Sequence, residues 1–455
     1  MHTSSTPLWQ DGMSQSPRQQ LLNDIDVDVA IIGAGYTGLW TAYYLKQMNS
    51  KLSIAIIESE YVGFGGSGRN GGWCSAFLPM SPTEMAEQHG KDAMQFIQRE
   101  MFATIAEIAK ITELEGIDCD FYQGGTITSA SSTAHIQRVK DYVAQWRASG
   151  FDESVIRWEG ADEIETRMRT VKTYGGMYSP HCAVIHPWKL VQGIARVLEA
   201  RGVTIYERSR VLNVQQRRVQ TTCAAVNARW VVQAVESFAS QQRRTKRSIV
   251  PLYSLMVATE PIPSHIWSEI GWSNRETFAD GRNMVTYAQR TADNRIAFGG
   301  RGAPYHLGSR ISPKFDVNEK IHDQLRETVR ETFPLLGDVK FTHQWGGPIG
   351  ASRDWHAFAN VDHKTGLCSG GGYVGDGVAL SNLIARTLVH QMLNNESPLT
   401  RSLLVNHRAR AWELEPIRWI GINGLLKLTE IADARERRSG APSSRIIAMR
   451  DSFLG

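Results

Sequence analysis

Apolar residues form two short continuous runs near the start of the chain, with a helical segment between them. The first run is Val29-Ala30-Ile31-Ile32 and the second is Ile54-Ala55-Ile56-Ile57, while residues 39–48 have the composition of a helix. Short apolar runs bounded by turns are typical of strands that are buried on both faces of a parallel sheet. The pattern therefore predicts a strand–helix–strand unit.

The turn after the first run and the residue after the second carry the signs of a dinucleotide site. The turn reads GAGYTG over 33–38, and Glu58 follows the second strand twenty residues after Gly38. Gly33 permits the tight turn, Gly35 lets a pyrophosphate approach the backbone, and Gly38 lets the helix pack closely. The helix N-terminus offers free N–H groups to phosphate, and an acid at this distance can bind both ribose hydroxyls. A glycine turn that arose by chance would not be expected to have both strands, the helix and the acid at these positions.

A second glycine-rich segment, GFGGSGRNGGW over 63–73, follows that acid. It is too rich in glycine for a helix or a strand, so we interpret it as a loop whose backbone approaches a ligand. Ser67, Arg69 and Asn70 supply hydrogen-bond donors, which suit an anionic and planar group. A third glycine loop, GGGYVGDGV over 370–378, leads into a predicted helix over 379–393. Its N–H groups would face developing negative charge.

These motifs resemble those of the FAD-dependent D-amino-acid oxidase-like family, which includes glycine, sarcosine and γ-glutamylputrescine oxidases. The family pattern small-Ser-Gly-Arg-Asn-Gly-Gly is intact over 66–72, and Gly-Tyr-x-Gly-x-Gly-Val-Ala-Leu is intact over 372–380. The resemblance spans about 24–400. It implies that the third glycine loop lies against the pyrimidine end of the flavin and stabilises the anion of the reduced flavin.

The resemblance implies FAD as the cofactor, and an acid at position 58 disfavours NADP. No residue that would link the flavin is evident, so we expect non-covalent binding. The family usually has Ala-Thr-Gly or Ala-Thr-Asn after its third strand, whereas this chain has QAVE over 233–236, and we assign no contact there. The expected cofactor contacts are Gly33, Gly35, Tyr36, Thr37, Gly38, Glu58, Ser59, Gly66, Ser67, Arg69, Asn70, Gly71, Gly72, Val211, Gly347, Gly372, Tyr373, Gly375, Gly377 and Val378.

The predicted fold class is α/β, with a Rossmann-type FAD-binding domain of the glutathione-reductase-like kind and a discontinuous α+β substrate domain. The FAD-binding domain takes residues 24–80, 185–251 and 343–406, and the substrate domain takes 81–184 and 252–342. Residues 407–455 form a helical tail whose apolar face is a packing face or, less simply, a docking surface. We expect a single helix over 86–115 and a poorly ordered lead-in over 1–23.

Oxidation of an amine by a flavin requires little acid–base help from the protein, because the cofactor supplies the chemistry. His186 precedes Pro187, a residue that suits the first turn of a helix, at a domain crossover. His186 therefore either lies near the flavin ring or caps or simply begins that helix. Arg301 could bind a substrate carboxylate or phosphonate through its guanidinium fork, although most arginines are surface residues. Aromatic side chains that could line the substrate pocket, or equally the core, are Tyr253, Tyr287 and Trp345.

Composition narrows the class of protein. The 455 residues carry a net charge of +4, which is too mild to indicate nucleic-acid binding. The five cysteines are an odd number, widely spaced and without a CxxC, which predicts a reducing compartment and no metal site. The N-terminus lacks the apolar core of a secretory signal, and no run is long enough to cross a membrane. We therefore expect a cytoplasmic enzyme.

The sequence thus predicts an FAD-dependent oxidase or dehydrogenase that acts on a small amine, amino acid or aminophosphonate. Its C–N bond would be oxidised to an imine by hydride transfer to flavin N5, and water would release a carbonyl product. The electrons would pass to O2 or to another acceptor. Two alternatives stay open: a flavin enzyme of the same fold that oxidises a C–OH group, and a non-catalytic FAD-binding protein.

Overall fold

A computed structural model describes residues 3–13, 16–242, 244–302 and 304–454. The helices are α1 (Tyr36–Met48), α2 (Pro82–His89), α3 (Lys91–Leu114), α4 (Thr133–Ala148), α5 (Ala161–Arg167), α6 (Pro187–Ala200), α7 (Ser264–Ile270), α8 (Glu319–Thr332), α9 (Gly377–Met392), α10 (Ile417–Ser439) and α11 (Ser444–Leu454). The strands are β1 (Ile25–Ile32), β2 (Ile54–Ile57), β3 (Trp73–Cys74), β4 (Thr126–Ser129), β5 (Arg157–Gly160), β6 (Gly175–Ser179), β7 (Ala183–Val184), β8 (Thr204–Tyr206), β9 (Val211–Gln215), β10 (Arg218–Thr221), β11 (Ala225–Gln233), β12 (Val250–Thr259), β13 (Thr277–Asp280), β14 (Thr286–Arg290), β15 (Ile296–Arg301), β16 (Phe341–Ala351), β17 (Phe358–Asp362) and β18 (Leu367–Gly371).

The first sheet has β1 at its centre, in the order β17-β18-β11-β1-β2-β8. Strands β18, β11, β1, β2 and β8 are parallel, β17 is antiparallel at the edge, and β9 and β10 extend from β11 as antiparallel strands. Residues of β1 alternate between two cores. Val29 and Ile31 pack with α1, α6 and α9, whereas Ala30 and Ile32 pack on the other face with Val219. Burial on both faces explains why these strands are continuous apolar runs.

The second sheet has the order β16-β12-β15-β14-β13-β4-β6-β5 and is antiparallel except for the β13–β4 pair. Its core includes Leu255 and Val257 of β12, Phe298 of β15, and Leu325 and Val329 of α8. In the chain, β12, which begins at Val250, is the first strand of this sheet after β11. A largely parallel sheet together with a largely antiparallel one confirms the predicted fold class.

The two sheets draw on interleaved stretches of the chain. The first sheet uses strands within 25–57, 204–233 and 358–371, and the second uses strands within 126–179, 250–301 and 341–351. The proposed domain boundaries stay a prediction, and β16 places residues 343–351, which we assigned to the FAD-binding domain, in the second sheet. In the described part of the chain, no helix has the length and apolar character that a membrane crossing requires.

The predicted helix over 86–115 is wrong, because Gly90 divides it. Gly90 has a φ of +88°, and the chain forms α2 before it and α3 after it. A left-handed residue interrupts a right-handed helix, and glycine adopts that conformation without steric cost. The apolar stripe of α3 is nevertheless buried as expected, with Met94, Ile97 and Met101 in the core.

The predicted disorder of the lead-in is also wrong for the described residues 3–13 and 16–23. The amide N–H of Ser4 donates to the carbonyl of Thr342 at 2.9 Å, which places the segment beside β16. Trp9 has 2% of its surface exposed and Leu21 has 1%. The polar composition of this segment concealed these two apolar anchors, whose partners are distant in the sequence.

Candidate active site

The turn between β1 and α1 has the geometry that its glycines predict. Gly33 has a φ of +101°, and a Cβ there would lie 2.5 Å from the carbonyl oxygen of Ala234 on the next parallel strand. A Cβ at Gly38 would collide with the carbonyl oxygen of Gly33, so the helix sits against the turn. The N-cap of helix α1 is Gly35, which has no side chain to cap the helix, so the N-terminus suits a phosphate.

The Glu58 carboxylate lies beside this turn at the end of β2. It accepts hydrogen bonds from the amide of Ala34 at 2.8 Å, the amide of Glu60 at 3.0 Å and the hydroxyl of Ser59 at 3.1 Å. Burial raises the pKa of Glu58, and the amides that donate to it oppose that shift. Val211 begins β9 two residues after Ser209, whose amide donates to the Glu58 carbonyl at 2.8 Å.

The loop over 63–72 folds back onto the start of α1. Gly66–Gly68 forms a single 3-10 turn, and the hydroxyl oxygen of Ser67 accepts a hydrogen bond from the amide of Tyr36 at 2.9 Å. Asn70 braces the loop, since its side-chain amide donates to the carbonyls of Gly66 and Ser67. Its side-chain oxygen also accepts from the amide of Gly72 at 2.7 Å. Ser67 and Asn70 therefore hold the loop together, and their positions as direct cofactor contacts stay predictions.

Arg69 joins this loop to the second sheet. Its guanidinium donates to Asp316 at 2.8 Å, and its carbonyl accepts from the indole N–H of Trp345 at 2.9 Å. A Cβ at Gly347 of β16 would lie 3.3 Å from the guanidinium carbon, so the absence of a side chain there makes room for Arg69. Trp345 is 1% exposed. It supports the loop rather than presenting a free ring.

The third glycine loop meets the first at a side-chain hydrogen bond. The hydroxyls of Tyr373 and Thr37 lie 2.7 Å apart, and Tyr36 donates to the carbonyl of Pro187 at 2.9 Å. Gly372 and Gly375 adopt φ values of +81° and +108°. Helix α9 then begins at Gly377, and Val378 in its first turn is buried. This hydrogen bond brings together the glycine loops that precede α1 and α9, and their joint role in binding the cofactor stays a prediction.

A family model described as FAD dependent oxidoreductase, and named DAO, matches residues 28–391. The chain belongs to the DAO family. A probable oxidoreductase named OrdL from Rhizobium meliloti is 28% identical over 382 residues, which cover 82% of this chain and 84% of that protein. Gamma-glutamylputrescine oxidoreductase from Escherichia coli is 27% identical over 396 residues, which cover 84% and 87%. A glycine oxidase structure from Geobacillus kaustophilus has a TM-score of 0.67 at 20% identity, covering 84% and 99%.

Membership of the DAO family confirms that the chain is an FAD-dependent oxidoreductase. The second alternative, a non-catalytic FAD-binding protein, is thereby set aside. The residues present fit the cofactor that the family uses. The start of α1, whose N-cap Gly35 has no side chain, suits a pyrophosphate, the Glu58 carboxylate suits ribose hydroxyls, and the start of α9 suits an anionic ring.

His186 is the residue before α6 and caps that helix. Its Nδ1 accepts a hydrogen bond from the amide of Lys189 at 3.3 Å, and its ring packs edge-on against Trp9 at 5.2 Å between centroids. Burial lowers the pKa of His186 to about 4. The ring is therefore neutral near pH 7, and the helix-capping alternative describes its hydrogen bonding. Its predicted role beside the flavin stays a prediction.

The remaining predicted residues lie at different places. Tyr287 on β14 contacts the loop, because a Cβ at Gly71 would lie 2.5 Å from its ring, and its hydroxyl lies 2.8 Å from that of Ser254. Tyr253 lies in the core on the opposite face of β12 and is not brought to this cluster, since neighbouring residues on a strand point to opposite faces. The backbone of Arg301 ends β15, but its side chain lies outside the described residues.

Three residues that sequence reasoning missed complete the site. The indole N–H of Trp9 donates to the carbonyl of Asn70 at 2.7 Å. The side-chain amide of Gln289 donates to the carbonyl of Gly71 at 2.8 Å. Glu236, which follows β11, accepts from the amide of Tyr373 at 3.4 Å. Only Glu236 left a signal in the sequence, namely its departure from the family pattern.

Proposed function

We propose that this enzyme oxidises the C–N bond of a small amine, amino acid or aminophosphonate. The observation that carries the proposal is the Thr37–Tyr373 hydrogen bond, which brings the first and third glycine loops together and supports a single cofactor site between them. Bound FAD would supply a two-electron acceptor for a hydride from the substrate carbon. The substrate would become an imine, and water would then hydrolyse it to a carbonyl compound and an amine or ammonia.

The names of two relatives support an amine substrate, since one acts on gamma-glutamylputrescine and one is a glycine oxidase. Tyr287 offers a half-buried aromatic face, which suits an amine cation before it loses its proton. The fold alone leaves oxidation of a C–OH group open, because an L-alpha-glycerophosphate oxidase structure from Mycoplasma pneumoniae has a TM-score of 0.64. That reaction is the second candidate.

Anaerobic mixing of the FAD-loaded enzyme with matched pairs of substrates tests the proposal. One member of each pair would be an amino compound, namely an amine, an amino acid or an aminophosphonate. The other member would carry a hydroxyl in place of the amino group on the same carbon skeleton. We expect the visible absorption of the oxidised flavin to disappear with a member of the amine series. Bleaching by hydroxy compounds alone would establish the second candidate, and bleaching by neither series would contradict both. Adding O2 or an artificial acceptor then identifies the route by which the electrons leave.

The pH dependence of bleaching tests the identity of the titrating group. Free alkylamines are mostly protonated at pH 7, and only the neutral amine can assist loss of a hydride. The pKa of His186 is about 4, so its ring is already neutral across the range in which an amine titrates. We therefore expect the rate at low substrate concentration to rise with pH, and the midpoint to follow the substrate amine. Two substrates whose amine pKa values differ by about two units should give shifted profiles.

The controls for that experiment are His186→Ala and His265→Ala. The first removes the predicted pocket histidine, and the second removes an exposed histidine on α7. A midpoint that stays fixed for both substrates and disappears only in His186→Ala would make the histidine the base. A flat profile for the best substrate between about pH 6 and 10 would contradict amine oxidation.

We also propose non-covalent FAD, O2 or another small acceptor, and a cytoplasmic location without nucleic-acid partners. The five free cysteines support a reducing compartment. The mild net charge of +4 supports the lack of nucleic-acid partners. Heat denaturation should release FAD into the supernatant. A yellow pellet that keeps its flavin would contradict non-covalent binding.

A further inference from the structure

Glu236 lies at the point where this chain departs from its family. It follows the end of β11 and begins a 3-10 turn over Glu236–Gln241. Its φ is +44°, in the region that favours glycine and asparagine, which are the residues that the family usually has there. Two residues earlier, the carbonyl of Ala234 touches Gly33 of the first glycine turn. Glu236 is therefore part of the cofactor site.

The carboxyl of Glu236 faces backbone donors of the third glycine loop and of β16. The amide of Tyr373 donates to Oε1 at 3.4 Å. The amides of Gly372, Gly350 and Ser237 also lie close enough to lower the pKa of the carboxyl. A Cβ at Gly350 would collide with the carboxyl, so the strand makes room for it. The resemblance assigns the Gly372–Tyr373 donors to the cofactor, and here a carboxyl competes for them.

The charged groups around Glu236 leave its own charge poorly balanced. Tyr373 faces it, and the Glu236 charge contributes to the raised pKa of that phenol. Asp376 in the same loop is a further acid. Near Gly347 of β16, the Arg69 guanidinium is bound to Asp316. His343, also on β16, forms an ion pair with Asp11 when it is protonated.

The remaining neighbouring strand does not change the charge around Glu236. Strand β12, which also packs against this turn, contributes one titratable group, Tyr253, and its hydroxyl bonds to Ser312. Burial outweighs the surrounding amides and raises the pKa of Glu236 to about 7. The carboxyl can therefore change its charge near neutral pH.

We propose that Glu236 couples FAD binding to proton uptake, because its carboxylate and the acceptor groups of the cofactor compete for the amides of the third glycine loop. Protonation removes the charge of the carboxyl and leaves those amides to the cofactor. Binding of FAD therefore favours the protonated form, and by linkage the affinity for FAD falls as the pH rises. The proposal concerns the same cofactor site on which the proposed function rests.

The test is the dissociation constant of FAD from the apoprotein, measured by fluorescence at about pH 6 and pH 8.5. A single linked proton changes the affinity by at most about tenfold per pH unit. We expect the wild type to bind FAD about tenfold or more weakly at the higher pH. Glu236→Gln keeps an oxygen for the Tyr373 amide but cannot titrate, so its loss of affinity should be at least threefold smaller.

Glu396→Gln is the matched control, because Glu396 is an exposed carboxylate in the turn after α9. It should retain the pH dependence of the wild type. Glu58 and Asp376, the other carboxyls named at the site, are present in all three proteins, so their contributions to the pH dependence are the same in each. Equal pH dependence in the wild type and Glu236→Gln would overturn the proposal.

Calorimetry provides a measurement that needs no variant. Titrations of the wild-type apoprotein with FAD near pH 7.5, in buffers with different ionisation enthalpies, report the protons taken up on binding. We expect net uptake, and its absence or net release would overturn the proposal. A protein that binds no FAD at any pH would instead contradict the proposed function, so the two failures can be told apart.

Discussion

At the scale of single residues, Glu58 has a structural role in addition to its expected contact with the ribose. It accepts hydrogen bonds from the Ala34 amide in the glycine turn and from the Glu60 amide after β2. The carboxylate therefore ties the end of β2 to the start of α1. Substitutions of Glu58 must therefore distinguish its contact with the ribose from its hydrogen bonds within the protein.

Replacing Glu58 with Ala should weaken FAD binding by about ten- to hundredfold, since hydrogen bonds to a charged acceptor contribute about 1.5–3 kcal/mol. The measurement is the FAD dissociation constant of the apoprotein. Glu58→Gln keeps an oxygen acceptor for the Ala34 amide, so it should retain the fold of the turn while losing part of this affinity. Glu60→Ala, which removes an exposed acid two residues later, should bind FAD like the wild type. Equal affinities in Glu58→Ala and Glu60→Ala would contradict the ribose contact.

At the scale of elements, the start of α1 shows that neighbouring glycines serve different purposes. Gly33 needs its positive φ and touches the backbone of Ala234, the residue after β11, so it is required by the fold itself. Gly35 has an ordinary extended conformation, and a Cβ there would lie 2.9 Å from the side-chain oxygen of Ser67. The space beside Gly35 therefore matters for the ligand more than for the fold.

We expect Gly35→Val to abolish FAD binding while the circular dichroism of the apoprotein changes little, because the side chain would occupy the place of the pyrophosphate. Gly33→Ala should instead lower the stability of the apoprotein, since backbone atoms of Ala234 cannot move aside. Gly421→Ala on α10, where no atom lies within 4 Å of the new Cβ, is the control for both. Tight FAD binding by Gly35→Val would show that the turn is not a phosphate site.

At the scale of the whole molecule, burial lowers the pKa of several described histidines, and for three of them the shift is large. Their pKa values are lowered to about 4, and they lie on three different parts of the chain: His135, His186 and His356. Between that value and the ordinary 6.5, the unfolded chain binds more protons at these sites than the folded one. Each histidine thus contributes stability that is complete above about pH 6.5 and is lost as the pH falls toward 4.

His135 offers the clearest test, because it is buried on α4, away from the cofactor loops. Relative to the wild type, His135→Gln should gain about 1–2 kcal/mol of unfolding free energy when the pH is lowered from 7 to 5. Denaturant unfolding at the two pH values measures this difference. His265→Gln removes an exposed histidine and should show no such relative gain. A gain of the same size in both variants would contradict burial as the cause.

The local parts of the cofactor site could be predicted from the sequence. The glycine turn, the acid twenty residues after it and the loop over 63–72 each lie within one contiguous stretch, where spacing alone determines which atoms can meet a dinucleotide. The start of α6 at Pro187 is a local feature of the same kind, since proline suits a first helical turn.

Only the tertiary structure decided which distant residues complete the site. Trp9 and Asn70 are 61 residues apart, Thr37 and Tyr373 are 336 apart, and no local pattern encodes such pairs. Successive side chains of a strand point to opposite faces of the sheet. In β12, Tyr253 therefore lies in the core, whereas Ser254 points to the other face and its hydroxyl contacts that of Tyr287. Local spacing therefore determined the cofactor, whereas long-range packing of two sheets determined the surroundings of that cofactor and the charge of Glu236.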